Sequence, residues 1–234
     1  MQLQDMVVLI TGANRGLGLA LARAASAAGA KKVYAAARDP SRISVPGAQA
    51  VRLDVNSDVD AAAAAELCGD VNVLVNNAGI ARGAAALSVG AFEAARAEFE
   101  TNVYGTWRMT RAFAPVLAAQ GGGAVVNVLS ALSWLNIPAA STYCVSKSAA
   151  WALTNALRNE LRGQRTQVVG VHVGYMDTDL TAGVHAPKIR PEDVAAQILQ
   201  ALADGRDEVL ADITSRDAKA GLSAEPGAYL RSGA

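Results

Sequence analysis

Tyr143 and Lys147 stand four residues apart in Tyr143-Cys144-Val145-Ser146-Lys147, within a stretch whose pattern predicts a helix over residues 141–162. Residues at this spacing share one helix face, so a phenol and an ammonium can flank a single pocket. A phenol with a reference pKa of about 10 is a poor base near neutral pH. A neighbouring positive charge favours the phenolate and is expected to lower that pKa. Such a pair can give a proton to an oxygen that is gaining charge and take it back in reverse. Taken alone, the spacing is common, and an aromatic residue beside a surface lysine explains it as well.

Near the chain start, an apolar run over residues 6–10 leads straight into Thr11-Gly12-Ala13-Asn14-Arg15-Gly16-Leu17-Gly18, and a helical pattern over 17–28 follows. Glycines in a strand–turn–helix context permit a tight turn and let the backbone approach a pyrophosphate at the helix N-terminus. Gly12, Asn14, Arg15, Gly16, Leu17 and Gly18 are therefore candidate dinucleotide contacts. Sheets that bind NAD usually end their second strand on a carboxylate for the ribose. Here that stretch reads Ala35-Ala36-Ala37-Arg38-Asp39, with Ala37 at the expected acidic position. Arg38 and Arg15 would suit a 2′-phosphate, which guanidinium groups bind through charge-assisted bonds. NADP(H) is thus preferred and NAD(H) stays open, because a one-residue shift would bring Asp39 to the ribose.

The elements needed to position these residues are legible as alternating patterns. Short apolar runs predict strands over 6–10, 32–36, 50–53, 71–75, 124–129, 167–173 and 208–211. Between them, helices are expected over 17–28, 58–67, 92–120, 141–162 and 191–203. Continuous apolar strands separated by helices imply an α/β fold: a single-domain, doubly wound parallel sheet of Rossmann type with helices on both faces. Gly29 suits a left-handed helix cap, and Pro191-Glu192-Asp193 suits a first helical turn. No linker or repeat splits the 234 residues. A short substrate lid is expected near 175–190. The tail from Gly221, with Pro226, Gly227 and Gly233, is expected to be loosely ordered.

Composition narrows the partners. Acidic and basic residues number 21 each, which gives no general attraction to nucleic acid or to an anionic membrane. Met1 to Asp5 carries no basic region ahead of an apolar stretch, and no apolar run approaches about 18 residues, so a cytoplasmic enzyme without a membrane span is expected. Cys68 and Cys144 are far apart and match no metal spacing, so reduced thiols and no metal centre are expected.

Four segments together resemble the short-chain dehydrogenase/reductase family over roughly residues 6–200: the glycine turn, Asn76-Asn77-Ala78-Gly79, Ser130, and Tyr143 with Lys147. The resemblance implies transfer of a hydride between NADP(H) and a ketone or secondary alcohol, as in carbonyl reductases and alcohol dehydrogenases, with Tyr143 as general acid and base. It also implies that Ser130 holds the substrate oxygen and that the oxidised nicotinamide helps lower the Tyr143 pKa. Asn102 would support a proton relay to Lys147, although a buried amide with backbone partners is an equal account. Asn76, Ala78 and Gly79 would lie beside the cofactor, and Asp54-Val55 beside adenine, where a turn-forming role explains Asp54 nearly as well. Gly174, Met176 and Thr178 match the cofactor loop after the sixth strand, but Val173 replaces the family's proline and is expected to loosen or re-aim that loop.

Trp134, Leu135, Tyr175 and Met176 suggest a partly apolar substrate pocket shared with Ser130 and Tyr143. His172, inside a strand, is expected to be a packed or hydrogen-bonded core residue, whereas His185 can meet substrate or water. A homodimer or homotetramer is expected, without the family's usual glycine-rich C-terminal ending. Two rivals stand beside this reading. A sugar-nucleotide epimerase would need different glycine spacing and a longer C-terminal part. A non-catalytic NADP(H)-sensing regulator would have no need of the full Asn102, Ser130, Tyr143 and Lys147 set.

Overall fold

β-Branched and small apolar residues build seven parallel strands in the order β3-β2-β1-β4-β5-β6-β7. The computed structural model describes residues 2–230. The strands are β1 (Val7–Thr11), β2 (Lys32–Ala37), β3 (Gln49–Arg52), β4 (Val73–Asn76), β5 (Gly123–Val128), β6 (Thr166–His172) and β7 (Glu208–Leu210). The helices are α1 (Gly16–Ala27), α2 (Asp58–Leu67), α3 (Ala91–Glu98), α4 (Thr106–Ala119), α5 (Ser141–Leu161), α6 (Pro191–Asp204) and α7 (Ile213–Ala220).

Alternation along each strand divides the core between two faces. Val8 and Ile10 of β1 pack with Leu21 of α1 and Ile198 of α6. Val7 and Leu9 face the opposite side, with Phe113 of α4 and Leu157 of α5. Helices α1, α4, α5 and α6 thus bury their apolar sides on sheet faces that are themselves apolar, which is why the strands read as continuous hydrophobic runs. Gly29 takes a left-handed φ of +80° just beyond α1. Pro191 opens α6. The doubly wound single-domain sheet expected from the sequence is the architecture observed.

Three details depart from expectation. The long helix predicted over 92–120 is interrupted by a wide π-helical turn, Phe99–Gly105, between α3 and α4. An additional helix, α7, follows β7. Asp212 caps it, accepting from Ser215 N while the Ser215 side chain returns a bond to Asp212 N, which satisfies two end amides at once. The segment from Gly221 carries two short 3-10 turns, Gly221–Ser223 and Ala228–Leu230, and Ala228 and Tyr229 line the cleft at the carboxyl ends of the strands. Leu222 packs against the Ala131–Trp134–Ala218 cluster, and burial of that side chain gives the segment its anchor. Gly233 lies outside the described residues.

Candidate active site

The carboxyl ends of the strands open onto one cleft of about 920 Å³. Its phosphate side is formed by Gly12, Asn14, Arg15, Gly16 and Leu17, with Ala37, Arg38, Asp54 and Val55 from the ends of the outer strands. Ala78, Gly79, Ser130, Tyr143, Lys147, Gly174, Tyr175, Met176 and Thr178 also line it. The strand order reverses between β1 and β4, and a cleft at that switch point is where doubly wound sheets bind ligands.

The glycine turn is shaped by close approaches. A Cβ on Gly12, whose φ is +67°, would stand 3.1 Å from Ala78 Cα, and one on Gly18 would stand 2.3 Å from the Gly12 carbonyl oxygen. Gly18 therefore packs α1 against the turn and does not itself line the cleft. Arg15, at the N-cap of α1, provides no side-chain cap, so its first amides are available to an anion. These features fit a dinucleotide pyrophosphate. Arg38 lines the cleft, whereas the Arg15 guanidinium pairs with Asp179 at 3.2 Å, both side chains being exposed. Asp39 accepts from Ser41 N at 3.1 Å and from Ser41 Oγ at 2.6 Å. Its Oδ1 is thereby engaged in a local turn. Asp54 likewise accepts from Asn56 N at 3.0 Å while lining the cleft.

Tyr143 and Ser130 both line the cleft, near enough for the Ser130 hydroxyl to act on the phenol. Ser130 Oγ accepts from Leu132 N at 3.1 Å and lies 3.4 Å from the Val173 carbonyl oxygen. Lys147 Nζ is 5.7 Å from the centre of the Tyr143 ring and donates to the Val128 carbonyl oxygen at 2.8 Å. Burial lowers the Lys147 pKa to about 8. Burial also pushes the Tyr143 phenol above its ordinary value, with the Ser130 hydroxyl opposing the rise. The lowering expected from the neighbouring ammonium is therefore absent in the protein alone. Desolvation sets the direction, and the Lys147 ammonium is engaged with the Val128 carbonyl oxygen.

Several predicted residues stand behind the cleft wall. Asn102 sits in the π-helical turn, where its Oδ1 accepts from Ile80 N and its Nδ2 donates to Ile80 O, each at 2.9 Å. It also donates to Ser146 Oγ at 3.0 Å, so its side chain ties the post-β4 loop to α5. Asn76 is a correction to the expected cofactor contact. Its Nδ2 donates to Thr110 Oγ1 of α4 at 3.1 Å and to Asn127 Oδ1 of β5 at 2.9 Å, in the buried interior. Asn77 lines the cleft instead and donates to Thr11 O at 2.8 Å. Trp134 is a second correction, to the substrate pocket. Only 8 % exposed, it stacks on His172 with ring centres 3.8 Å apart and meets Trp151 edge-on at 5.9 Å. Two aromatic partners draw this large ring into the core, leaving Leu135 and Tyr175 on the wall.

His172 is buried and bonded, and burial lowers its pKa to about 4. His185 is exposed and off the cleft. Cys68 and Cys144 are buried and unbridged. Val173 is itself buried, and the next residue is tied down by a 2.7 Å bond from Gly174 N to Asp212 Oδ2. The loop that lacks the usual proline is thus anchored by α7.

Other supporting residues were not assigned from the sequence. Thr11 Oγ1 accepts from Asn77 N and Ala78 N, each at 3.0 Å. Thr101 lines the cleft. Glu98, fully buried, receives Arg82 N at 2.9 Å and Gly83 N at 3.0 Å on Oε1. Thr11 belongs to the quoted turn motif and was open to notice. A glutamate in a helical pattern reads as a solvent-facing charge, so Glu98 carried no local signal.

A parallel doubly wound sheet with a glycine turn at one side of its cleft and a Ser–Tyr–Lys group at the other defines a dinucleotide-dependent class of proteins. Residues 6–188 match the family model described as short chain dehydrogenase, and the chain belongs to that family of oxidoreductases. A short chain dehydrogenase from Burkholderia cenocepacia, solved in complex with NADP, superposes with a TM-score of 0.92 at 38% identity, covering 97% of this chain and 96% of that one. A 3-ketoacyl-(acyl-carrier-protein) reductase from Brucella melitensis complexed with NADH gives 0.80 at 27% identity, over 88% and 96% of the two chains. Galactitol 2-dehydrogenase (L-tagatose-forming) of Cereibacter sphaeroides is 36% identical over 192 residues, covering 77% of this chain and 75% of that protein. No described helix is long and apolar enough to cross a membrane.

Proposed function

We propose that this protein is a carbonyl reductase or alcohol dehydrogenase that uses NADP(H) on a ketone or secondary alcohol, with Tyr143 as the acid–base group. The observation that carries the reading is the convergence of Ser130, Tyr143 and Lys147 on the lining of one cleft, with Lys147 one helical turn along α5 from Tyr143. When bound, the nicotinamide would supply or accept the hydride. Ser130 would donate to the substrate carbonyl oxygen and hold it beside Tyr143, stabilising charge as it develops there. The Tyr143 phenol, kept protonated by burial, is in the state required to donate a proton during reduction. In the reverse direction the Lys147 ammonium would favour the phenolate that takes the proton back.

Arg38, and Arg15 on release from Asp179, would hold the 2′-phosphate, while the glycine turn and the start of α1 would hold the pyrophosphate. Occupation of Asp39 by Ser41 favours NADP(H) over NAD(H), as does the NADP bound by the Burkholderia relative. The Brucella relative's NADH keeps NAD(H) as the second cofactor. Leu135, Ile137, Tyr175, Leu180 and Val184 line the substrate side and favour a substrate with an apolar group beside its carbonyl. The segment over 175–190 would serve as its lid, a homodimer or homotetramer as the assembly, and the cytoplasm as the location.

The test follows NADPH and NADH absorbance against a ketone panel. Turnover should prefer NADPH, and Tyr143→Phe should lower kcat by about 10²–10⁴-fold. Arg38→Ala should raise the NADPH KM by roughly 10-fold or more, the scale of a lost charge-assisted bond, and leave the NADH KM nearly unchanged. A Tyr143→Phe enzyme as fast as the parent would overturn the acid–base assignment. An unchanged NADPH KM in Arg38→Ala would overturn the phosphate assignment.

A further inference from the structure

His172 closes β6 beneath the turn that carries Ser130 and is 1 % exposed. Its Nδ1 lies 3.1 Å from the Ser130 carbonyl oxygen. A carbonyl oxygen only accepts, so Nδ1 carries the hydrogen in the neutral ring. The same ring stacks on Trp134, with 17° between the two planes. One imidazole therefore touches both ends of the Ser130–Trp134 turn. Its other nitrogen, Nε2, stands 4.0 Å from Glu208 Oε1 on β7, beyond hydrogen-bonding range. Glu208 is in turn paired with Lys219 of α7. Lys147, from α5, is the further charged group that acts on the ring.

Within this turn the Ser130 hydroxyl has weak or local anchors: the 3.4 Å approach to Val173 O and the bond from Leu132 N two residues on. The backbone on either side is held by Leu129 N to Val171 O at 2.7 Å and Ala131 N to Val173 O at 3.0 Å, and the Ser130 carbonyl accepts from Ser133 N at 3.0 Å. His172 is the side chain from another element that also reaches that carbonyl. The proton path from Tyr143 makes no use of His172, yet this ring is buried against the residue that meets the substrate oxygen.

We propose that His172 is a positioning residue for Ser130, holding the Ser130–Trp134 turn by Nδ1–H donation at one end and by ring stacking at the other. The Ser130 hydroxyl is thereby kept in register with Tyr143. The inference rests on the roles given above to Ser130 and Tyr143. Displacement of a catalytic group by about 1 Å can cost about 100-fold in rate, so loss of the anchor acts on kcat more than on cofactor binding.

Two substitutions separate donation from stacking. His172→Phe keeps a ring and removes the donor, whereas His172→Asn returns an amide donor near the Nδ1 position and removes the ring. In the full chain with NADPH and a turned-over ketone, His172→Phe should lower kcat by about 10- to 100-fold, with NADPH KM within about twofold. His172→Asn should recover most of that loss. In a Ser130→Ala background, His172→Phe should cost no more than about twofold further, because the two residues act as one unit.

A readout independent of turnover is a long-range ¹H–¹⁵N correlation spectrum of the labelled parent protein at pH 7. It should show a protonated Nδ1 and a bare Nε2 on His172. A parent-like kcat in His172→Phe, or the same loss repeated in the Ser130→Ala background, overturns the proposal. So does a hydrogen on Nε2 with Nδ1 bare, whatever the turnover. A parent that binds NADPH but reduces no ketone in the panel counts against the enzymatic reading and removes the role proposed for His172, while the spectrum still decides the Ser130 contact.

Discussion

Lys147 is 6 % exposed and donates to the Val128 carbonyl oxygen at 2.8 Å. Burial lowers its pKa from 10.5 to about 8, a cost to the folded charged form on the order of 3 kcal/mol. The unfolded chain holds this proton up to about pH 10.5, and the folded protein releases it from about pH 8. The unfolded state thus binds more protons in that window, so this group adds stability as pH rises through it and imposes its full cost below pH 8. Lys147→Met should therefore raise Tm at pH 7 by about 5 °C, after about 1 kcal/mol for the lost bond to Val128, while turnover disappears. Melting curves at pH 7 and pH 10 check this, since the gap between variant and parent should narrow at the higher pH. A Tm for Lys147→Met at or below the parent's at pH 7 would refute the burial cost. The opposed effects on stability and turnover fit a residue retained for chemistry despite its cost.

At the scale of elements, α7 anchors the cofactor-side loop. Asp212 caps α7 through Ser215 N at 2.8 Å and fixes Gly174 N at 2.7 Å. Asp212→Ala removes a cap worth about 1 kcal/mol and a second bond of similar or greater value. Tm should fall by about 5 °C, and the KM for NADPH should rise because the Gly174–Thr178 stretch loses its tether. Asn at this position should restore part of both effects. Unchanged Tm and KM in the alanine variant would show that the loop is held by other contacts. The strands and most helices were legible in the sequence because apolar periodicity and boundary residues such as Gly29 and Pro191 are local signals. The π-helical turn was hidden inside a continuous helical pattern. α7 was missed although Asp212 and Ser215 stand at capping-box spacing, since a short helix with little apolar periodicity gives a faint signal.

At the scale of the whole molecule, two aromatic side chains three residues apart reach the surface. Tyr104 and Trp107 are about half exposed, at 48 % and 52 %, and Val145 of the adjoining helix α5 is 50 % exposed. Exposed apolar groups of this kind suit contact with a second copy. Trp107→Asp should shift the protein toward monomer in size-exclusion chromatography with light scattering. A monomeric parent, or an unaltered oligomer in the variant, would remove this face from the assembly.

The sequence by itself determined the parallel α/β architecture, the glycine turn and the pairing of Tyr143 with Lys147, because each is written in spacing along a strand, turn or helix; Ser130 joined that pair through the family resemblance. The short distance between Asp39 and Ser41 did not reveal which way the carboxylate points; the folded turn decided that it serves Ser41. Tertiary structure also decided that Trp134 lies behind the substrate wall, that Asn76 bonds to buried partners on β5 and α4, and that burial raises the Tyr143 pKa. Each of those outcomes depends on residues far away in the chain. His172 is separated from Ser130 by 42 positions, and only the packing of β6 beneath the Ser130 turn brings the imidazole to that carbonyl. Local spacing fixes which groups are available, whereas desolvation and long-range contacts fix what each one touches and which proton it holds.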